Sequence, residues 1–160
     1  MTLVLDPAHQ ATILDHARRA YPEECCGLLL GVREGERKRV LSVHPTVNAW
    51  EPDPDSELDR GNHSRGDRFR IDPRAMLAAQ TSGRATGQII LGIYHSHPDH
   101  PAVPSECDRR QAWPDYAYLI VAVEGREVTD LRNWQLDDHQ VFVPEPLVIT
   151  DAAAGLLPSP

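Results

Sequence analysis

The stretch from Gln88 to His97 constrains this chain most: Ile89, Ile90, Leu91, Ile93 and Tyr94 leave it apolar on both faces. A strand of that pattern belongs in the middle of a sheet with both sides covered. It closes on His95-Ser96-His97-Pro98. On a strand, residues i and i+2 point to the same side about 6.5 Å apart, so the two imidazoles converge. In a helix they would diverge by roughly 200°.

After six intervening residues Pro98 is followed by Ser105-Glu106-Cys107-Asp108. Pro98 to Pro104 is short and proline-rich, and it can turn the chain back so that the first turn of a following helix brings Asp108 to the histidines. Two imidazoles and one carboxylate can hold a catalytic zinc ion and leave one coordination position open. Both histidines must be neutral to bind, and the net positive centre lowers the pKa of bound water to about 7. The chemistry this points to is water-driven bond cleavage. Each piece has an ordinary reading too, since Ser-x-x-Asp is also a plain helix-capping pattern, but that reading does not account for the whole set in one window. Neither spacing nor a required role singles out His100. Cys107 reads as a packing or redox-sensitive residue, and Asp99 and Glu106 as surface groups.

At 160 residues the chain fits one domain that buries its core without disulfides. Its 24 acidic against 16 basic residues, a formal charge of −8, argue against nucleic acid as a partner, because that binding rests on Lys and Arg. The cysteines are odd in number, and Cys25 and Cys26 are adjacent, where geometry disfavours their pairing, so a reduced, cytoplasmic protein is expected. The Met1 to Asp6 start lacks the basic and apolar regions of a signal peptide, and no run approaches membrane-spanning length, so no membrane partner is expected. Oligomeric state leaves no mark in the sequence.

Asp6-Pro7 predicts a helix N-cap and first turn, with Ile13, Leu14, Ala17 and Tyr21 at helical spacing and an end before Pro22. Leu28 to Val32 predicts a buried strand, paired through a Glu34-Gly35-Glu36 turn with a second strand from Arg39 to Val43. Residues 50–66 are polar, with Glu51, Asp53, Asp55, Glu57 and Asp59 interrupted by Pro52 and Pro54, which predicts a mobile inserted loop. Phe69 and Ile71 alternate as in a strand, and Asp72-Pro73 opens a helix running towards Gly83. Ser105 caps a helix bounded by Pro114. Tyr118 to Val123 and Val128 to Trp134 form strands around Glu124-Gly125-Arg126, and Val141 to Ile149 adds an edge segment broken by Pro144 and Pro146. Residues 151–160 read as a frayed tail. The fold class is therefore α/β: a single mixed α/β domain over 1–150, with a central twisted β-sheet flanked by helices.

With Glu24-x-Cys26-Gly27 at the entrance of the first buried strand, His95-x-His97-Pro98 and Ser105-x-x-Asp108 resemble the JAMM (MPN-plus) zinc metalloproteases. Phe69-Arg70-Ile71-Asp72-Pro73 and Gly92-Ile93-Tyr94 are similar to the small prokaryotic single-domain branch. The resemblance runs loosely from Leu3 to Trp134. It implies an MPN/JAMM-like fold with cytidine-deaminase-like layering, Zn2+ held by His95, His97 and Asp108, and Glu24 as general base and acid. Glu23 is its neighbour, and only one of the two can face the metal, since successive strand residues face opposite sides. The resemblance further implies that Ser105 stabilises the oxyanion of a hydrolysed amide or isopeptide bond. The implied substrate is a ubiquitin-like or sulfur-carrier protein with an extended Gly-Gly tail. The acidic segment 51–59 departs from the compact relatives. The competing reading is a non-catalytic MPN-type scaffold or interaction module, against which stand the five motif residues. A nucleobase deaminase would need His-x-Glu and Pro-Cys-x-x-Cys, and neither occurs.

Overall fold

The structure, a computed structural model, describes residues 1–150; the tail expected at 151–160 lies outside the described residues. One mixed sheet of eight strands organises it, in the order β7-β6-β5-β4-β2-β3-β1-β8. In chain order the strands are β1 (Thr2–Leu5), β2 (Cys26–Glu34), β3 (Arg37–Thr46), β4 (Ile89–Pro98), β5 (Ala117–Glu124), β6 (Glu127–Leu136), β7 (Phe142–Pro144) and β8 (Leu147–Ile149). Three helices accompany them: α1 (Pro7–Ala20), α2 (Pro73–Ala85) and α3 (Glu106–Gln111).

β4 is central, antiparallel to β2 and parallel to β5, and it is buried from Ile90 to Pro98. Both faces are covered. On one, α1 brings Ile13 and Ala17 onto Leu29, Leu91, Tyr94 and Leu119. On the other, α2 contributes Ala79 and half-buried Met76 beside Leu28, Leu30, Ile90 and Ile93. Each fully buried Leu or Ile is worth about 1.5–3 kcal/mol relative to exposure, so these two clusters carry most of the fold's stability. Both long helices start as the Asp-Pro pairs predict: Asp6 accepts from the His9 amide at 2.7 Å, and Asp72 from the Arg74 amide at 2.8 Å.

The sheet ends β7 and β8 are joined only by Glu145 and Pro146, a reach of about 11 Å between flanking Cα atoms. The sheet must therefore curl until its two ends meet. Glu145 sits in that seam, its Oε1 3.0 Å from Lys38 Nζ on β3 and its Oε2 accepting from Asn133 Nδ2 on β6 at 3.0 Å. Lys38 and Glu145 side chains are no more than 1% exposed.

Three expectations change, and one strand is new. The edge segment from Val141 to Ile149 is two strands on opposite ends of the sheet, because β7 pairs with β6 while β8 pairs in parallel with β1. β1 itself was unanticipated. Phe69 to Ile71 forms no strand and joins no ladder; Arg70 bonds instead to residues 48 and 49, its amide donating to Asn48 Oδ1 and its carbonyl accepting from the Ala49 amide. The 50–66 loop, expected to lack ordering contacts, has them. Trp50 is buried and donates from Nε1 to Asp59 Oδ1 at 3.1 Å, and Arg65 Nε donates to the Trp50 carbonyl at 2.9 Å.

Candidate metal centre

Strand alternation divides the end of β4 between two jobs. Tyr94 and Ser96 turn towards α1, while His95 and His97 follow Ile93 to the α2 side. The Nε2 atoms of His95 and His97 lie 3.0 Å apart. Asp108, at the third position of α3, places Oδ2 3.4 Å from each of them. Its approach is set by a capping box: Ser105 Oγ accepts from the Asp108 amide at 3.0 Å, and the Ser105 amide donates to Asp108 Oδ2 at 2.7 Å. The capping pattern and the approach to the histidines thus use one geometry rather than competing.

These three atoms form a triangle with edges of 3.0, 3.4 and 3.4 Å. A tetrahedral ion with metal–ligand distances of 2.0–2.1 Å has donor–donor edges of about 3.3 Å, so the donor set fits a zinc-like cation. The tautomer fits as well. His97 Nδ1 donates to the Pro101 carbonyl at 2.8 Å, which leaves its Nε2 lone pair facing the triangle. Burial holds the His95 imidazole below its ordinary pKa, opposed by Asp108, so it favours the neutral form a metal needs. Its ring stacks on Phe69 at 4.4 Å between centroids. Burial raises the Asp108 carboxyl, but His95, His97 and the Ser105 amide outweigh it and keep it well below the usual carboxylate range.

Glu24 stands across from this triangle, with Oε1 3.9 Å from His97 Nε2, and it is 5% exposed. Its neighbour Glu23 is exposed. Donor atoms of Glu24, His95 and His97 also lie within 4.8 Å of one another, so proximity alone would admit that trio as a metal site. The edges to Asp108, at 3.4 Å, are shorter than the 3.9 Å from Glu24 to His97, so Asp108 completes the tighter triangle and Glu24 stands beside it. Burial, with the charges of Asp108 and Asp67, pushes the Glu24 carboxyl well above its ordinary range, while Arg68 pulls it down.

The Glu24 backbone is clamped. Its amide donates to the Arg65 carbonyl at 2.7 Å and its carbonyl accepts from Asn48 Nδ2 at 3.1 Å. Asn48 also donates to the Arg68 carbonyl and accepts from the amides of Trp50 and Arg70, so one side chain ties both ends of the 50–66 loop to Glu24. Ser96 Oγ accepts from the Cys25 amide at 2.8 Å. Gly27 faces Tyr94 across the strands, where a Cβ would collide with the phenol ring. That ring reaches His16 on α1 at 2.8 Å.

Two clefts meet at the centre. One of about 160 Å³ is apolar, lined by Phe69, Ile71, Met76, Ile93 and Trp113 together with His95 and Asp108. The other, about 300 Å³, is the more polar of the two and is lined by Glu24, His97, Ser105, Asp67, Arg68 and His100 beside Pro101 and Val103.

All five residues singled out by spacing and resemblance come together here. Asn48, Ser96, Phe69 and Arg68 were not read as site residues. Ser96 carried a signal, since the residue between two same-facing histidines must face the strand's other side. Asn48 carried none, because its role depends on a loop closure invisible in the sequence. Cys25 and Cys26 are buried, and burial pushes their thiols up to about 12 and about 11, so both are inert core groups.

A profile of prokaryotic homologs of the JAB domain matches residues 6–137. The chain belongs to this family. Among JAB-domain relatives, it is 36% identical over 135 residues to the desampylase of Haloferax volcanii, covering 81% of this chain and 85% of that one. It is 28% identical over 128 residues to the CysO-cysteine peptidase of Mycobacterium tuberculosis, covering 79% and 77%. A protein from Desulfitobacterium hafniense, solved in solution, superposes with a TM-score of 0.73 at 31% identity over 94% of each chain. No helix among the described residues is long and apolar enough to cross a membrane.

Proposed function

We propose that this chain is a zinc-dependent metallopeptidase that hydrolyses the amide bond after the C-terminal tail of a ubiquitin-like or sulfur-carrier protein. The observation that carries the reading is the donor triangle of His95, His97 and Asp108 at tetrahedral edge lengths, with Glu24 beside it. The names of its relatives, a desampylase and a CysO-cysteine peptidase, support a protein-conjugate substrate.

Zinc, when bound, supplies a Lewis acid that acidifies water and polarises the scissile carbonyl. The remaining work falls to the chain. Glu24 accepts the proton of the attacking water and hands it to the leaving amine nitrogen, a task for which burial tunes a carboxyl upward. Ser105 Oγ uses a lone pair for the Asp108 amide, so its own proton is free to donate to the developing oxyanion. It is not a nucleophile, because no separate histidine and carboxylate activate its hydroxyl.

The two clefts give the substrate a direction. Glu24 must meet the leaving amine and lines only the polar one of the pair, so the leaving group occupies that side. The tail lies in the apolar cleft, alongside the Phe69 to Ile71 segment that lines it, where main-chain pairing would add affinity. In this reading 1–150 is one metallopeptidase domain, and the 50–66 insertion orders the base. The unpaired Cys25, Cys26 and Cys107 suit a reducing cytoplasm.

The test is cleavage of a panel of carrier proteins extended beyond Gly-Gly, with and without chelator. Chelator-sensitive release of the extension, restored by zinc, is expected. Zinc-loaded protein that cleaves none of the panel, or cleavage indifferent to chelator, contradicts the proposal.

A further inference from the structure

The polar cleft contains one arginine, Arg68, which is part-buried and held chiefly by neutral acceptors. The Arg68 side chain is only 15% exposed, yet no carboxylate oxygen lies within hydrogen-bonding distance of it. Its guanidinium is fixed by neutral acceptors. Nη1 donates to the Asp67 carbonyl at 2.9 Å, and Nη2 donates to the Leu58 carbonyl at 3.3 Å and to His63 Nε2 at 3.1 Å. His63 can accept there because its Nδ1 donates to Asp67 Oδ2 at 2.7 Å. That bond, with the Ser64 amide donating to Asp67 Oδ1 at 2.8 Å, occupies the nearest acid, whose Oδ2 stays 3.7 Å from Arg68 Nη1. Of five guanidinium N–H groups, three are engaged; Nε, shielded from solvent, and one N–H on Nη1 make no hydrogen bond among the described residues.

A part-buried, rigidly held cation whose nearest carboxylate stands 3.7 Å off and is hydrogen-bonded to other groups keeps donors for a second anion. Glu24 and Ser105 line the same cleft, so the reacting bond is its neighbour. In a one-residue leaving group, the carboxylate carbon lies about 2.5 Å from the scissile nitrogen, by standard bond lengths. An anion of that kind enters the cleft wherever the leaving amine does. A lysine-linked protein presents an uncharged alkyl chain there instead and leaves the arginine unmatched. About 300 Å³ is room for a single amino acid.

We propose that Arg68 receives the free α-carboxylate of the leaving group, which makes this site selective for carrier proteins bearing one C-terminal amino acid over lysine-linked conjugates. The inference rests on the metallopeptidase reading and goes beyond it. Planar guanidinium suits this role, since it pairs with carboxylates in a fixed geometry. Asp67 shares the cleft but is committed to His63 and Ser64, and exposed His100 adds no fixed negative charge.

The experiment uses zinc-loaded full-length protein and one sulfur carrier ending in Gly-Gly in three forms. The first carries one added alanine as the free acid, the second the same alanine as its carboxamide, and the third is joined to a peptide lysine side chain. The free acid is expected to exceed the carboxamide in kcat/KM by about 10–100-fold, the factor an ionic hydrogen bond supplies. In Arg68→Met the ratio of acid to carboxamide falls to near one, and Arg68→Lys restores part of it. A merely structural Arg68 would slow all three substrates together and leave the ratio intact. Equal rates for acid and carboxamide in the unmodified protein, preference for the lysine conjugate, or a ratio preserved in Arg68→Met would overturn the inference. Hydrolysis of none of the three would count against the metallopeptidase reading itself, an outcome separate from those.

Discussion

Replacing Glu24 by Gln is expected to lower kcat by about 10²–10⁴-fold, the usual span for a positioned general base and acid, while zinc content stays at one per chain. The amide is isosteric but cannot take a proton from water. The contacts that hold position 24 are to its backbone, from Arg65 and Asn48, so the substitution leaves them in place. It also removes a carboxyl that burial already disfavours in its charged form, and the fold should tolerate it well. Metal analysis alongside single-substrate kinetics separates the two roles open to this residue. Full turnover in the variant would remove Glu24 from the mechanism. Zinc lost in step with activity would instead make it a ligand, in the alternative trio with His95 and His97.

The second large effect lies at the seam where the sheet closes. Glu145→Ala is expected to destabilise the protein by about 3–5 kcal/mol, because it leaves the Lys38 ammonium buried without its partner. It also strands Asn133, whose Nδ2 donates to Glu145 and whose Oδ1 already has no partner among the described residues. Nζ of Lys38 and Oε1 of Glu145 are close as charges but not aligned as a hydrogen bond, so the pair itself is no strong source of stability. Lys38→Met with Glu145→Leu should therefore recover most of the loss, since buried ion pairs are often replaceable by apolar residues of similar volume. Denaturant unfolding of the three proteins measures this. A Glu145→Ala variant within 1 kcal/mol of the parent, on the order of a surface substitution, would show that the seam does not depend on the pair.

How far the sequence could be read follows from how local each signal is. Asp6-Pro7 and Asp72-Pro73 announce helices through neighbouring residues alone, and both caps form as expected. The hairpin turns at Gly35 and Gly125 each need φ near +58°, which glycine adopts without strain, so their place was legible too. The convergence of His95, His97 and Asp108 was legible because its spacing is short-range: the two histidines share a strand face, and Asp108 follows its own cap. What escaped was whatever depends on residues distant in sequence. β1 is a four-residue strand stabilised by β3 and β8, thirty and more residues away. The split of Val141 to Ile149 between two sheet ends requires knowing that the sheet curls. The 50–66 loop looked unable to order itself because its composition is polar, yet those polar groups bond one another and Asn48. The support of the Glu24 backbone by Asn48 and Arg65 was hidden for the same reason.

The central claim is that His95, His97 and Asp108 hold one metal ion, and anomalous diffraction at the zinc absorption edge from crystals of the zinc-loaded protein tests it most directly. A single peak is expected, about 2.0–2.2 Å from both Nε2 atoms and from a carboxylate oxygen of Asp108. A crystal with zinc bound elsewhere, or with Glu24 in place of Asp108 around the peak, would contradict the account.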